Sequence, residues 1–139
     1  MPAPADHSDD GSHTVLYRSV DNVGNAAVAQ SCVVDIDTRA PRPIANWAAR
    51  VASGHTASLQ YYVSDPRPGS PTATVTIRVR TLAGGLVRKL VERGVAVNQR
   101  LSAAFHCRLK QGQYRFYVYA TDAAGNSQSQ VASNRLTVR

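Results

Sequence analysis

Gly112-Gln113-Tyr114-Arg115-Phe116-Tyr117-Val118-Tyr119-Ala120-Thr121-Asp122-Ala123-Ala124-Gly125-Asn126 decides the fold. From Tyr114 to Ala120 the residues alternate, with Tyr114, Phe116, Val118 and Ala120 on one face and Arg115, Tyr117, Tyr119 and Thr121 on the other. A period of two is that of a strand, and the aromatic and β-branched content agrees. Asp122 to Asn126 reads as the exit turn, where Gly125 can take positive φ and Asp122 and Asn126 can hydrogen-bond nearby amides.

The stretch occurs twice. Gly11 to Asn25 shifted by 101 residues lays Gly11 on Gly112, His13 on Tyr114, Asp21 on Asp122, Gly24 on Gly125 and Asn25 on Asn126. Cys32, Val34 and Ile36 then alternate toward Asp37 much as Leu136 and Val138 do near the C-terminus, with a slip of one residue. A spacing of about 100 residues is one β-sandwich domain, so the chain reads as part of a tandem array. Residues 1–10 are expected to be a disordered tail and residues 11–38 the last two strands of a preceding repeat. Residues 39–43 form a stiff proline-containing linker, and 44–139 are one complete domain.

Within that domain Ala57–Ser64 alternates, with Leu59, Tyr61 and Val63 on one face. Asp65-Pro66-Arg67-Pro68-Gly69-Ser70-Pro71 is a loop. Thr72–Thr81 is the cleanest strand, Val75, Ile77 and Val79 inward. Gly84-Gly85 turns it, and Leu86–Glu92 returns, a helical turn over Val87–Arg93 being the competing reading. Gln99–Leu109 is a further strand, and Trp47 is expected to plug the core or the junction. Short strands at this spacing, with no convincing amphipathic helix, predict an all-β, antiparallel sandwich of about seven strands preceded by a β-hairpin remnant.

Gly11-x-His13-Thr14-Val15-x-Tyr17-Arg18-x-Val20-Asp21-x-x-Gly24-Asn25, followed by Asp35-x-Asp37-Thr38-x-x-Pro41, resembles the end of a bacterial Ig-like surface repeat running into the next. Thr76-Ile77-Arg78-Val79, Gly84–Leu90 and Gly112-Gln113-Tyr114 resemble the Ig-like domain of flagellar hook-capping proteins and of secreted bacterial enzymes. Tyr114 matches the tyrosine corner of Ig-like sandwiches. The resemblance implies an Ig-like (fibronectin-III/Ig-type) fold and an extracellular or cell-surface setting, the chain being part of a larger secreted protein. It also implies neighbouring Ig-like repeats as partners. Such modules host many unrelated roles, so it specifies fold better than function. Three classes stay open: a non-catalytic spacer or adhesion module, an accessory carbohydrate- or polyanion-binding domain of a secreted hydrolase, and a self-assembling capping module.

Charge is divided along the chain. Up to Thr38 there are six acids against one base, Arg18, a net of −5; from Arg39 onward fifteen bases face Asp65, Glu92 and Asp122, a net of +12. The positive part can draw in an anionic polysaccharide, although dispersed arginines also simply solvate outer faces. Arg115, Tyr117 and Tyr119 share the outer face of the signature strand and are the candidate ligand-contacting residues, the alternative being cross-strand pairing with Arg78 or Arg80. A protein receptor and a homodimer through the N-terminal hairpin are the other partners considered. No apolar run approaches the roughly 20 residues of a membrane helix, so membrane insertion is not expected. Cys32 and Cys107 both fall on apolar faces and read as two separate buried thiols, the competing reading being a bridge formed if the hairpin packs beside the strand of Cys107.

Catalytic patterns are lacking. Three carboxylates in the main domain, two of them in turns, do not make an acid/base pair, and no zinc, nucleophile-elbow or phosphate-loop motif is present. The chain therefore reads as no enzyme and as needing no cofactor, with calcium the one ion to consider. A sandwich array brings the linker acids Asp35 and Asp37 to the end of the domain that carries Asp65, Asp122 and Asn126. These are the candidate calcium ligands, and the resemblance implies an ion stiffening the junction. Asp21 belongs to the far end of the preceding repeat. In the competing reading Asp122, Asn126 and Asp37 merely cap their own turns.

Overall fold

The computed structural model describes residues 4–139. In chain order the strands are β1 (Gly11–Tyr17), β2 (Gln30–Ile36), β3 (Arg42–Ile44), β4 (Ala49–Val51), β5 (Thr56–Ser64), β6 (Thr72–Thr81), β7 (Leu86–Ala96), β8 (Arg100–His106), β9 (Gly112–Asp122) and β10 (Ala132–Val138). β1 and β2 form a separate hairpin. The remaining strands make a five-stranded sheet, β4-β10-β9-β6-β7, and a three-stranded sheet, β3-β5-β8.

The two larger sheets form an Ig-like β-sandwich. Alternation sets its interior: Leu59, Tyr61 and Val63 of β5, Val75, Ile77 and Val79 of β6, and Phe116, Val118 and Ala120 of β9 are all buried, with Leu136 and Val138 closing the β10 side. β9 sits at the middle of its sheet, antiparallel to both β6 and β10. Tyr114 donates from its hydroxyl to the carbonyl of Lys110 at 2.9 Å, tying down the connection that enters β9.

Several details differ from the sequence reading. The domain has eight strands, and one pairing is parallel, β4 against β10. The segment expected to be a linker is already in the fold. Arg42 and Pro43 pair with Ser64 and Val63, and Pro41 is buried, because a proline can occupy an edge strand where its missing N–H is not needed. Val87–Arg93 is strand throughout, its pairing with β6 overriding local helix propensity. Trp47 is only half-buried, with the Arg100 guanidinium stacked 4.6 Å above its ring, so it caps a surface and does not plug the core.

The tail expected over residues 1–10 begins with three that lie outside the described residues. Over the rest, turn chemistry intervenes. His7 N–H donates to Pro4 O, Asp10 N–H donates to His7 O, and Asp10 Oδ1 accepts from both the amide and the hydroxyl of Thr38. The Thr38 hydroxyl, foremost, holds the Asp10 carboxyl below the ordinary carboxylate range.

Candidate functional site

Three loops converge where the hairpin meets the sandwich. Asp37 follows β2, Asp65 follows β5, and Asp122 ends β9; each offers a carboxylate oxygen, and the three oxygens lie within 4.8 Å of one another. Asp65 is 1 % exposed and Asp122 5 % exposed. Asp37 and Asp65 line a groove of about 940 Å³ between the base of the hairpin and residues 67–71, which Ala123 and Ala124, just past Asp122, also border.

The three carboxylates are not equally satisfied. Asp122 Oδ1 accepts from the Asn126 amide at 2.9 Å and its Oδ2 from Asn126 Nδ2 at 2.9 Å. Gly125, at φ 93°, makes that tight turn possible. Asp37 Oδ1 accepts from the Arg39 amide at 3.2 Å and Oδ2 from the Ser70 hydroxyl at 2.7 Å. Turn capping thus accounts for Asp37 and Asp122. It does not account for Asp65, whose two buried carboxylate oxygens have no partner at full hydrogen-bond geometry among the described residues, the Ser70 amide giving only a weak contact.

An unpartnered buried carboxylate is costly, and the fold holds this one firmly in place. Asn98, in the left-handed region at φ 59°, accepts from the Asp65 amide and donates to the Asp65 carbonyl, both at 2.8 Å. Gly69 lies so close that a Cβ there would stand 2.6 Å from Asp65 Oδ1. Burial, foremost, and the negative charges of Asp37 and Asp122 push the Asp65 carboxyl up from 3.8 to about 6, against a smaller opposing effect of the Ser70 amide.

Of the five candidate ligands, the structure brings together Asp37, Asp65 and Asp122. Asn126 acts behind them, its Nδ2 also donating to the Asp37 carbonyl at 2.9 Å and so locking the hairpin to the β9 turn. Asp35 does not join. It stands on the opposite face of β2 from Ile36, exposed, and accepts a hydrogen bond from Ser12. Asp21 caps its own turn at the far tip of the hairpin. Sequence reasoning missed Ser70, Gly69 and Asn98. The first two stand in a loop that looked like mere punctuation, and the third lies in the connection between Glu92 and Gln99, which carries no motif.

The donor set suits a hard cation. All ligand atoms are oxygens, two oxygens on one calcium ion at 2.3–2.6 Å can stand up to about 5 Å apart, and the spread of these three falls inside that limit.

The outer face of the five-stranded sheet holds the other candidates. Tyr117 and Tyr119 are half-buried, and the Arg78 guanidinium lies 4.9 Å over the Tyr119 ring, the cross-strand pairing that was the competing reading. Arg115 Nη1 donates to Ser133 Oγ at 3.0 Å. Arg115 stands directly between Arg135 of β10 and Arg80 of β6. Cys107 is a buried free thiol, but Cys32 is exposed, because nothing covers the hairpin face that carries it.

No protein-family model and no curated protein matches the chain. Solved structures do. The CARDB domain of a Pyrococcus furiosus protein, in complex with di-metal ions, is 16% identical, with 76% of this chain and 100% of that one aligned at a TM-score of 0.42. The FN1–FN3 domains of chicken CNTN1 are 11% identical over 91% of this chain and 43% of theirs, TM-score 0.48. An endonuclease/exonuclease/phosphatase from Beutenbergia cavernae is 15% identical over 91% of this chain and 35% of its own, TM-score 0.39.

The Asp65 environment sets a pH dependence in metal-free protein. Its folded value near 6 exceeds its unfolded value of 3.8, so the folded state binds the proton more tightly. This contribution is complete below about pH 4 and is lost as pH rises to about 6, a decline of about 2–3 kcal/mol. Urea unfolding in chelator should show that decline, and Asp65→Asn, which keeps the shape without the charge, should abolish it and be the more stable protein at pH 7. Equal pH profiles for the two proteins would contradict this description of the site.

Proposed function

We propose that this chain is a non-catalytic spacer and adhesion module of a larger bacterial surface or secreted protein, and that a calcium ion held by Asp37, Asp65 and Asp122 fixes its junction with the preceding repeat. The observation that carries the proposal is the buried Asp65 carboxylate, held by Asn98 and Gly69 with both oxygens unpartnered. A cation removes the repulsion among the three acids and links Asp37, on the hairpin side, to Asp65 and Asp122 of the sandwich. That linkage limits bending where Pro41 and Pro43 already restrict the backbone. The resemblance to bacterial Ig-like surface repeats supports the extracellular setting. With the affinity of extracellular calcium modules, on the order of 10⁻⁴–10⁻³ M, the site would fill at the calcium levels found outside cells.

Titration calorimetry of calcium into chelator-treated protein tests this. Saturable binding is expected, with Tm raised by about 5–10 °C at roughly 10 mM calcium. Asp65→Asn should lose both responses although it starts more stable, which separates lost binding from lost folding. Absence of heat and of a Tm shift in the unaltered protein would leave the acids as turn caps.

One observation favours a second reading, that of a polyanion-binding accessory domain. Arg50, Arg78, Arg80, Lys89, Arg115 and Arg135 lie on the outer face of the five-stranded sheet, and β4, β6, β9 and β10 place no carboxylate there. Arg135, Arg115 and Arg80 stand opposite one another across three strands, an arrangement that costs stability unless an anion answers it. Among the described residues the one ion pair is elsewhere, Arg39 with Asp10 at 3.8 Å. The partner that fits is an acidic polysaccharide laid across the strands. Retention on a sulfated polysaccharide column, reduced in Arg115→Glu although its Tm is no lower, is the expected result; passage without retention would contradict it.

A further inference from the structure

The β1–β2 hairpin is a structural twin of β9, its turn and β10, and the twin shows what is missing from it. Asp21 N–H donates to Asn25 O at 2.9 Å, as Asp122 N–H does to Asn126 O at 2.9 Å. Asn25 Nδ2 donates to Asp21 Oδ2 at 2.9 Å, as Asn126 Nδ2 does to Asp122 Oδ2. Gly24 and Gly125 take the same left-handed conformation, at φ 90° and 93°. Past the turn, the isolated pair Val20 with Ala26 repeats Thr121 with Ser127. At the other end, His13 Nε2 meets the Asp9 carbonyl at 2.7 Å, where Tyr114 donates to the Lys110 carbonyl. A histidine thus fills the position of the tyrosine corner with the same backbone partner.

Pairing register extends the match across both strands. His13, Val15 and Tyr17 face Val34, Cys32 and Gln30, as Tyr114, Phe116 and Val118 face Leu136, Asn134 and Ala132. In β9 and β10, Phe116, Val118 and Leu136 are all 0 % exposed; in the hairpin, Val15 is 44 %, Tyr17 52 % and Val34 42 % exposed. The difference lies in the covering. β6 bonds to the edge of β9 that faces away from β10, and the three-stranded sheet lies over the inner face. Among the described residues β1 has no such neighbour.

We infer that the inner face of the hairpin, Val15, Tyr17, Cys32 and Val34, is the seat of the remaining strands of a preceding Ig-like sandwich. A strand patterned like β6 runs antiparallel along the free edge of β1. The inference deepens the spacer reading, since it supplies the repeat that the junction would join, but it needs no cation. A second copy of the hairpin is a poorer occupant, because it brings two strands and no opposing sheet, whereas the twin is closed by both an edge strand and a sheet.

Cys32 reports the outcome. In the 139-residue protein its thiol should react with a maleimide dye at the rate of a free thiol while Cys107 stays protected. Fusing a copy of residues 39–108 directly ahead of Ser8 supplies the homologous strands in the order the twin uses. A second fusion adds His13→Tyr, Val15→Phe and Tyr17→Val, so that the strands meet the inner face they pack on in their own domain. Labelling in chelator should slow at Cys32 by about tenfold or more in either fusion. An unchanged rate in both would overturn the inference. So would a dimer of the 139-residue protein in which Cys32 is already protected. Because chelator is present throughout, failure here is distinct from failure of the calcium reading.

Discussion

A carboxylate that the fold buries without a partner governs this structure more than any other single group. Most of the sandwich is ordinary in its energetics: alternating strands bury one face, and β9, flanked on both edges, forms the centre of the larger sheet. Asp65 departs from that economy. Its backbone is clasped by Asn98, Gly69 closes over one oxygen, and two further acids are drawn within a few ångströms. A chain selected for stability alone would gain by a neutral residue there. The arrangement makes physical sense when an external positive charge completes it, and each acid then comes from a different segment of the junction.

That junction also explains why the proline segment is not a free linker. Pro41 is buried, Arg42–Ile44 pairs with β5, and Asn126 reaches from the β9 turn to the Asp37 carbonyl. The hairpin is therefore tied to the sandwich at its base by short polar contacts while its apolar face stands open. The open face lies on a strand pair that otherwise repeats the turn, register and alternation of β9 and β10. Positions that are interior in β9 are exposed at the matching places of β1, and Val15 beside Phe116 is the plainest example.

Much of this was legible in the sequence because alternation and turn chemistry are local. The period of two from Tyr114 to Ala120 gave the central strand its inner face, and the offset of 101 residues aligned the Asp21–Asn25 turn with the Asp122–Asn126 turn that it matches in geometry. Tertiary pairing decided what stayed hidden. Val87–Arg93 has helical propensity and becomes strand through β6, and Arg42–Ile44 reads as linker until β5 is beside it. The site divided in the same way. Asp37, Asp65 and Asp122 could be grouped from the loop order of a sandwich, but Asp35 was misplaced, since it lies within β2, paired with Ser12, whereas Asp37 lies past the end of the strand, where the chain turns toward the sandwich. Asn98 and Ser70 act through contacts that span 33 residues each, which no local pattern encodes. Cys32 looked like a core residue and is one only if the preceding strands are present.

The ionisation of Asp65 itself tests the central claim most directly. Its carboxyl carbon can be followed by NMR across pH 3 to 8, once in chelator and once in saturating calcium. The account predicts a midpoint near 6 without the ion, and a midpoint driven well below the ordinary carboxylate range, out of the observable window, with it. A midpoint close to 3.8 that calcium leaves unmoved would contradict it, and would return Asp37 and Asp122 to the capping of their own turns.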